Sequence, residues 1–134
     1  MKTANVTIPE IAVVDDNQNV RDTLCELLIL YGFEISITAP NGREFIDSLT
    51  ETERLPDVCL IDLQMPVMDG FDTIKHIRER WSEIKIIACS IIADKERIDE
   101  VIQLGADFFY LKGSAPRILI EWIKAATSDR INST

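Results

Sequence analysis

Apolar residues along the chain alternate between short continuous runs and longer stretches with helical spacing. The first run, Ile11–Val14, ends at a pair of aspartates and indicates a strand buried on both faces. From Asn17 the apolar positions recur at helical spacing, which predicts a helix that Asn17 caps and that ends near Gly32. The same alternation predicts strands at 34–38, 57–61, 84–88 and 108–111, and helices at about 43–51, 71–81, 94–104 and 115–126.

Five strands alternating with five helices are typical of an α/β domain with one doubly wound parallel sheet. Each return between parallel strands needs a crossover, so helices cover both faces of the sheet. The length of 134 residues fits a single core, and we expect one domain over residues 1–126. The polar residues 127–134 are expected to form a tail or the start of a linker.

Polar side chains that could bind a metal or take part in a reaction follow four of the predicted strands. Strand one is followed by Asp15 and Asp16, strand three by Asp62, strand four by Ser90 and strand five by Lys112. In open parallel sheets ligands bind outside the carboxyl ends of the strands, near the point where strand order reverses. These five residues are therefore predicted to converge on one site.

Three carboxylates in one pocket repel each other and need a cation among them. Carboxylates together with loop carbonyls suit a hard ion, which indicates Mg²⁺, with Mn²⁺ as the alternative. A metal at strand ends, a lysine and a hydroxyl together fit phosphoryl transfer to a carboxylate. Asp62 is the best candidate nucleophile because it follows the central strand and precedes a loop.

Composition excludes several other kinds of function. The chain has 14 basic and 23 acidic residues and a formal charge of -9, which disfavours binding to nucleic acid or to an anionic membrane. No apolar stretch approaches the length of a membrane span, and we expect a cytoplasmic protein. The three cysteines contain no C-x-x-C pair, so a zinc site or redox dithiol is not indicated.

The chain resembles the receiver domains of two-component response regulators. The resemblance covers roughly residues 10–126 and rests on Val14-Asp15-Asp16, the run from Asp62 to Gly70, Ser90 and Lys112. It implies a flavodoxin-like fold with strand order 2-1-3-4-5 and a phosphoryl group accepted by Asp62. It further implies that Asp16, Asp62 and the backbone carbonyl of Gln64 bind Mg²⁺, with Asp15 helping through water.

The resemblance also implies a switch and its partners. Lys112 would contact the phosphoryl oxygens, Ser90 would move toward the phosphoryl group, and Phe109 would be the aromatic residue that becomes buried. The donor would be a histidine kinase, a phosphotransfer protein or a small acyl phosphate. A homodimer or an output domain would use the surface of helix four, strand five and helix five. Such a protein catalyses only its own phosphorylation and dephosphorylation and is not otherwise an enzyme.

Two positions depart from the common pattern of that family. Gly113 follows Lys112 where a cis proline is usual, and Ile91 follows Ser90 where a small residue is frequent. Both features, with the run Leu111-Lys112-Gly113-Ser114, resemble the NarL/FixJ-type regulators that carry a LuxR-like DNA-binding domain. The chain is then either a single-domain regulator or the receiver part of a longer transcriptional regulator, and the second is favoured.

Two other functions are compatible with parts of this pattern. A haloacid-dehalogenase-like phosphohydrolase also uses a strand-end aspartate, but its second aspartate would stand where this chain has Gln64. A phosphorylation-independent binding module could keep the fold without the chemistry, although the intact aspartates and Lys112 argue against it. Dinucleotide binding is excluded because no G-x-G-x-x-G follows strand one.

Overall fold

A computed structural model describes residues 7–128, in which strands and helices alternate strictly. The strands are β1 (Glu10–Val14), β2 (Glu34–Ala39), β3 (Val58–Asp62), β4 (Lys85–Ser90) and β5 (Phe108–Leu111). The helices are α1 (Gln18–Leu30), α2 (Gly42–Glu51), α3 (Gly70–Arg80), α4 (Lys95–Leu104) and α5 (Pro116–Ala126). All strand pairs are parallel, and the order is β2-β1-β3-β4-β5. The predicted doubly wound α/β fold and its strand order are therefore confirmed.

The first turns of the helices are fixed by short polar side chains. The oxygen of the capping side chain accepts a backbone N–H in four helices, from Asn17, Asn41, Asp69 and Asp94. These bonds satisfy N–H groups that have no partner within the helix. The fifth helix instead begins with Pro116, which has no N–H to satisfy. Gly32 follows α1 with φ +94°, a backbone conformation that favours glycine.

Helices cover the sheet on both faces and form two separate apolar layers. One layer packs α1 and α5 against the sheet, and its largest helical side chains include Leu28, Leu119 and Ile123. The other layer packs α2, α3 and α4 against the opposite face through Phe45, Ile74 and Val101, among others. The central strand β3 is buried along its whole length. Burial on both faces holds the carboxyl ends of the strands in fixed relative positions.

Several element boundaries differ by one or two residues from the sequence prediction, and two of these differences concern the site and the tail. Asp62 is the last residue of β3 and not the first residue after it, because it pairs in register with Cys89 of β4. Thr127 lies at the predicted start of the polar tail but closes α5, where its buried hydroxyl donates to the carbonyl of Ile123 at 2.8 Å. The rest of the predicted tail after Ser128 lies outside the described residues.

Candidate functional site

Neighbouring strands end almost level at one edge of the sheet. The register pairs Val14 with Ile61, Asp62 with Cys89 and Ser90 with Leu111. This edge therefore brings together residues from both halves of the chain. Asp15, Asp16 and Asp62, here called the acidic cluster, each place a carboxylate oxygen within 4.8 Å of the others. The predicted convergence of the three aspartates is confirmed.

The ammonium group of Lys112 lies against two members of the acidic cluster. Its Nζ donates to Oδ2 of Asp15 at 2.7 Å and lies 3.3 Å from Oδ1 of Asp62. The backbone N–H of Lys112 donates to the carbonyl of Ser90 at 2.9 Å, which ties the start of the β5–α5 loop to the end of β4. Lys112 therefore brings positive charge to the carboxylates themselves.

Burial and charge together change the acid–base properties of this pair. Asp62 is 6% exposed, and this burial raises the pKa of its carboxyl. The positive charge of Lys112 lowers the same pKa, whereas repulsion from Asp15 raises it further, and the net shift is upward. Burial lowers the pKa of Lys112, but the hydrogen bond to Asp15 and the negative charges of Asp62 and Asp15 outweigh it and raise the value. The site thus holds a buried carboxylate whose ionised form depends on nearby positive charge.

Two adjacent aspartates of the acidic cluster have different surroundings. Asp15 is 2% exposed, and its Oδ1 accepts the backbone N–H of Asn17 at 2.9 Å. The guanidinium of Arg21 donates to the backbone carbonyl of Asp15 at 2.6 Å. Asp16 is exposed at the mouth of the site. Asp15 is therefore fixed by the start of α1, whereas Asp16 faces solvent.

The loop between β3 and α3 folds back tightly against Asp62. The N–H of Gln64 donates to Oδ1 of Asp62 at 3.3 Å. Val67 has φ +69° at the centre of a γ-turn closed by a 2.7 Å bond from the N–H of Met68 to the carbonyl of Pro66. A side chain at Gly70 would overlap the backbone of Asp62 and Leu63, so only glycine fits there. The loop backbone is thereby held beside the carboxylate.

The two predicted switch residues lie near the same edge but in different environments. Ser90 is 1% exposed, and its Oγ accepts the N–H of Ile92 at 3.0 Å. Phe109 is half-buried and packs against the layer formed with α2, α3 and α4. Ile91, which follows Ser90, is 67% exposed.

Tyr110 makes a further polar contact beside the site that the sequence interpretation did not include. The hydroxyl of Tyr110, two residues before Lys112, donates to the backbone carbonyl of Ser114 at 2.6 Å. Between them Gly113 has φ +92°, and the described residues contain no cis peptide bond. The sequence does show a tyrosine within an otherwise apolar strand and close to a glycine. This pattern indicates a hydrogen bond from the hydroxyl but does not reveal its acceptor.

An apolar groove of about 590 Å³ runs beside Lys112, between α1 and the β5–α5 loop. Lys112 lies at its wall together with apolar residues from four segments of the chain. These apolar residues are Val20, Leu24, Leu27, Ile91, Tyr110 and Pro116. The groove is open to solvent and adjoins the acidic cluster through Lys112.

The sequence of this chain matches a known family over most of its length. The sequence profile described as the response regulator receiver domain matches residues 11–124. The chain belongs to this family. Receiver domains are phosphorylatable signalling switches of two-component systems, and this receiver domain carries the corresponding acidic cluster.

Individual relatives agree with this assignment. The chemotaxis protein CheY of Thermotoga maritima is 33% identical over 83% of this chain and 91% of its own length. A solved LuxR-family two-component response regulator from Aurantimonas is 25% identical with a TM-score of 0.85, covering 92% of this receiver domain and 88% of that chain. CheY in the CheX-CheY-BeF3-Mg+2 complex from Borrelia burgdorferi is similar in fold, with 22% identity, a TM-score of 0.84 and coverage of 93% and 97%.

Among residues 7–128, none of the helices is both long and apolar enough to cross a membrane.

Proposed function

We propose that this receiver domain accepts a phosphoryl group on Asp62 in a reaction that requires Mg²⁺. The observation that carries the proposal is the meeting of three carboxylates with Lys112, whose ammonium lies 3.3 Å from Oδ1 of Asp62. Asp62 belongs to the central strand, and the tight β3–α3 loop fixes the backbone beside it. The similar CheY from Borrelia was solved with BeF3 and Mg+2, which supports the same cofactor here.

The donor set fits Mg²⁺ better than a softer metal. Asp15, Asp16 and Asp62 offer only carboxylate oxygens, which suit hard cations, and their oxygens are close enough for one ion. We assign Asp16, Asp62 and the backbone carbonyl of Gln64 as direct ligands, with Asp15 acting through water. Mg²⁺, or Mn²⁺ in its place, would supply charge that offsets the developing charge on the phosphoryl oxygens.

The residues of the chain divide the remaining chemistry between them. A carboxylate oxygen of Asp62 attacks phosphorus in line, an O–P bond forms, and the bond from phosphorus to the donor breaks. The electron pair leaves with the imidazole of a phosphohistidine or with the carboxylate oxygen of a small acyl phosphate. Lys112 moves its ammonium to the phosphoryl oxygens, which replaces its present contact with Asp62. The hydroxyl of Ser90 then donates a hydrogen bond to the phosphoryl group.

Two surfaces are proposed for partners of this cytoplasmic switch. A histidine kinase or phosphotransfer protein would dock in the apolar groove beside Lys112, because that groove adjoins the acidic cluster. The output, a homodimer or an output domain, would use the surface of α4, β5 and α5. There Ile102 is 44% and Leu111 39% exposed, which leaves apolar area for a partner. Movement of Ser90 and Phe109 would shift a two-state equilibrium at this surface.

Labelling with a small acyl phosphate and Mg²⁺ tests the proposal. The wild-type protein is expected to gain about 80 Da, one phosphoryl group, by intact-mass measurement. Asp62→Asn is expected to gain nothing, and wild type in EDTA is expected to gain nothing. Equal labelling of wild type and Asp62→Asn would refute the assignment of Asp62. Hydrogen exchange of the labelled sample is expected to change at α4, β5 and α5 and not at α2.

A further inference from the structure

Lys112, whose ammonium contacts the acidic cluster, is followed directly by a glycine. Lys112 leaves β5 directly, and the next residue, Gly113, has φ +92° with open space where a side chain would be. Glycine restricts the backbone less than any other residue, so the loop is not stiffened at this point by its own covalent structure. The backbone position of Lys112 therefore depends on hydrogen bonds of the loop, in addition to the ion pairs that its ammonium makes with Asp15 and Asp62.

Two anchors hold the backbone on either side of Lys112. On the β4 side, the N–H of Lys112 donates to the carbonyl of Ser90 at 2.9 Å. On the α5 side, the hydroxyl of Tyr110 donates to the carbonyl of Ser114 at 2.6 Å, and the N–H of Ser114 donates to the carbonyl of Leu111 at 3.0 Å. The bond from Tyr110 closes a ring that contains both Lys112 and Gly113.

Tyr110 is itself immobile enough to serve as an anchor. It is 7% exposed and belongs to the apolar layer between the sheet and the helices α1 and α5. The packed core therefore holds its ring, so a movement of Ser114 away from the ring would break the hydrogen bond. The hydroxyl fixes the loop relative to the sheet, which also carries Asp62.

We infer that Tyr110 is a positioning residue for phosphoryl transfer. Its hydroxyl holds the β5–α5 loop so that the ammonium of Lys112 can reach both Asp62 and the phosphoryl oxygens. Its hydroxyl bonds to the backbone of Ser114 and not to the carboxylates, so with a small acyl phosphate as donor it acts through Lys112. The inference rests on the proposed function of Asp62 and Lys112, because without phosphoryl transfer there is nothing to position.

Tyr110→Phe removes only the hydroxyl and keeps the buried ring. With a small acyl phosphate and Mg²⁺, the rate constant for labelling is expected to fall about three- to tenfold, the range of one lost hydrogen bond. The dissociation constant for Mg²⁺ is not expected to rise, since the hydroxyl does not contact the acidic cluster and a less firmly held Lys112 competes no more strongly with the metal. Tyr31→Phe removes the hydroxyl of the second tyrosine, which is 50% exposed on the far end of α1, and is expected to label like wild type.

A double-mutant cycle separates positioning of Lys112 from a general loosening of the fold. In a Lys112→Ala background, followed over times long enough for slow labelling, Tyr110→Phe is expected to have no further effect. An equal loss in both backgrounds, or weaker Mg²⁺ binding in Tyr110→Phe, would overturn the inference. So would a Tyr110→Phe protein that labels as fast as wild type. If wild type itself is not labelled, the proposed function fails; if only the effect of Tyr110→Phe is absent, the inference alone fails.

Discussion

Lys112 offsets the charge of the same carboxylates that are proposed to hold Mg²⁺. Its ammonium is 2.7 Å from Asp15 and 3.3 Å from Asp62, and both carboxylates are nearly buried. An ionised carboxylate that is buried without a nearby cation destabilises the folded protein, and a second cation can remove this penalty. The lysine and the proposed metal would therefore compete for part of the acidic cluster. Such competition would let Lys112 stabilise the metal-free site and, as proposed, later contact the phosphoryl group.

Lys112→Ala tests this competition. The variant is expected to bind Mg²⁺ about two- to tenfold more tightly than wild type, because the metal no longer displaces an ammonium. Its rate of labelling is expected to fall at least about tenfold, because a group that stabilises the transition state is lost. Calorimetric titration gives the first quantity and intact mass over time the second. Lys124→Ala, at an exposed position of α5, is the control, and loss of Mg²⁺ binding in Lys112→Ala would contradict the division of roles.

The sequence predicted which residues form the site better than it predicted the surroundings of each residue. The aspartates, Ser90 and Lys112 were predicted from their places after strands and from the family resemblance. The contrast between buried Asp15 and exposed Asp16 was not predicted. The burial of Asp15 depends on the start of α1, where Asn17 donates its N–H to the Asp15 carboxylate. The bond of Tyr110 was missed because its acceptor is a backbone carbonyl, which no side-chain pattern reveals.

The strands and helices, and the cap of α1 at Asn17, followed from apolar spacing and from a short polar residue. These features are local, so one sequence suffices to predict them. The strand order was implied only by the family resemblance. The end of β3 was placed one residue early, because Asp62 is polar yet still pairs with β4. The apolar groove beside α1 was not predicted, since it arises only when α1 and the β5–α5 loop stand apart.

The face that α1 turns toward this groove provides a test of donor docking. Val20 lines the groove in the first turn of α1 but is not part of the buried core. Val20→Gln should keep the helix, because glutamine is a good helix former. Transfer from a histidine kinase is expected to slow about fivefold, as an apolar contact is lost, while labelling by a small acyl phosphate stays unchanged. The measurement is the rate constant for each donor.

Glu26→Gln places the same side chain on the exposed side of α1 and is the matched control. It is expected to leave both donors unaffected. If Val20→Gln slowed both donors equally, the groove would affect the chemistry and not docking. If it slowed neither, the kinase would dock elsewhere on the receiver domain.

The stability of the whole molecule should depend on the charge state of Asp62. Burial, and then repulsion from Asp15, raise the pKa of Asp62 above its ordinary value, although Lys112 opposes them. A carboxyl whose pKa is raised by folding stabilises the fold while protonated, below its unfolded pKa of about 4, and that contribution is lost as pH rises through the folded pKa. The ionised site therefore lowers stability at neutral pH.

Asp62→Asn is accordingly expected to melt higher than wild type at pH 7 in EDTA, and the difference is expected to vanish near pH 4. With Mg²⁺ the order should reverse, because the variant lacks a ligand. Wild type gains about 2.7 kcal/mol at a hundredfold excess of Mg²⁺ over Kd if only the folded state binds the ion. Thermal melts at both pH values measure this, with Asp22→Asn as the exposed control. A variant that melts lower than wild type at pH 7 in EDTA would contradict the account.

The proposed function depends most on Asp62 being the residue that carries the phosphoryl group. Acyl phosphates are reduced by borohydride to an alcohol, which would convert a phosphorylated aspartate to homoserine. The decisive measurement is labelling of wild type with a small acyl phosphate and Mg²⁺, borohydride reduction, and sequencing of the peptides by mass spectrometry. Homoserine is expected at position 62 and at no other aspartate. Homoserine at Asp15 or Asp16 instead, or none at any position, would contradict the proposed function.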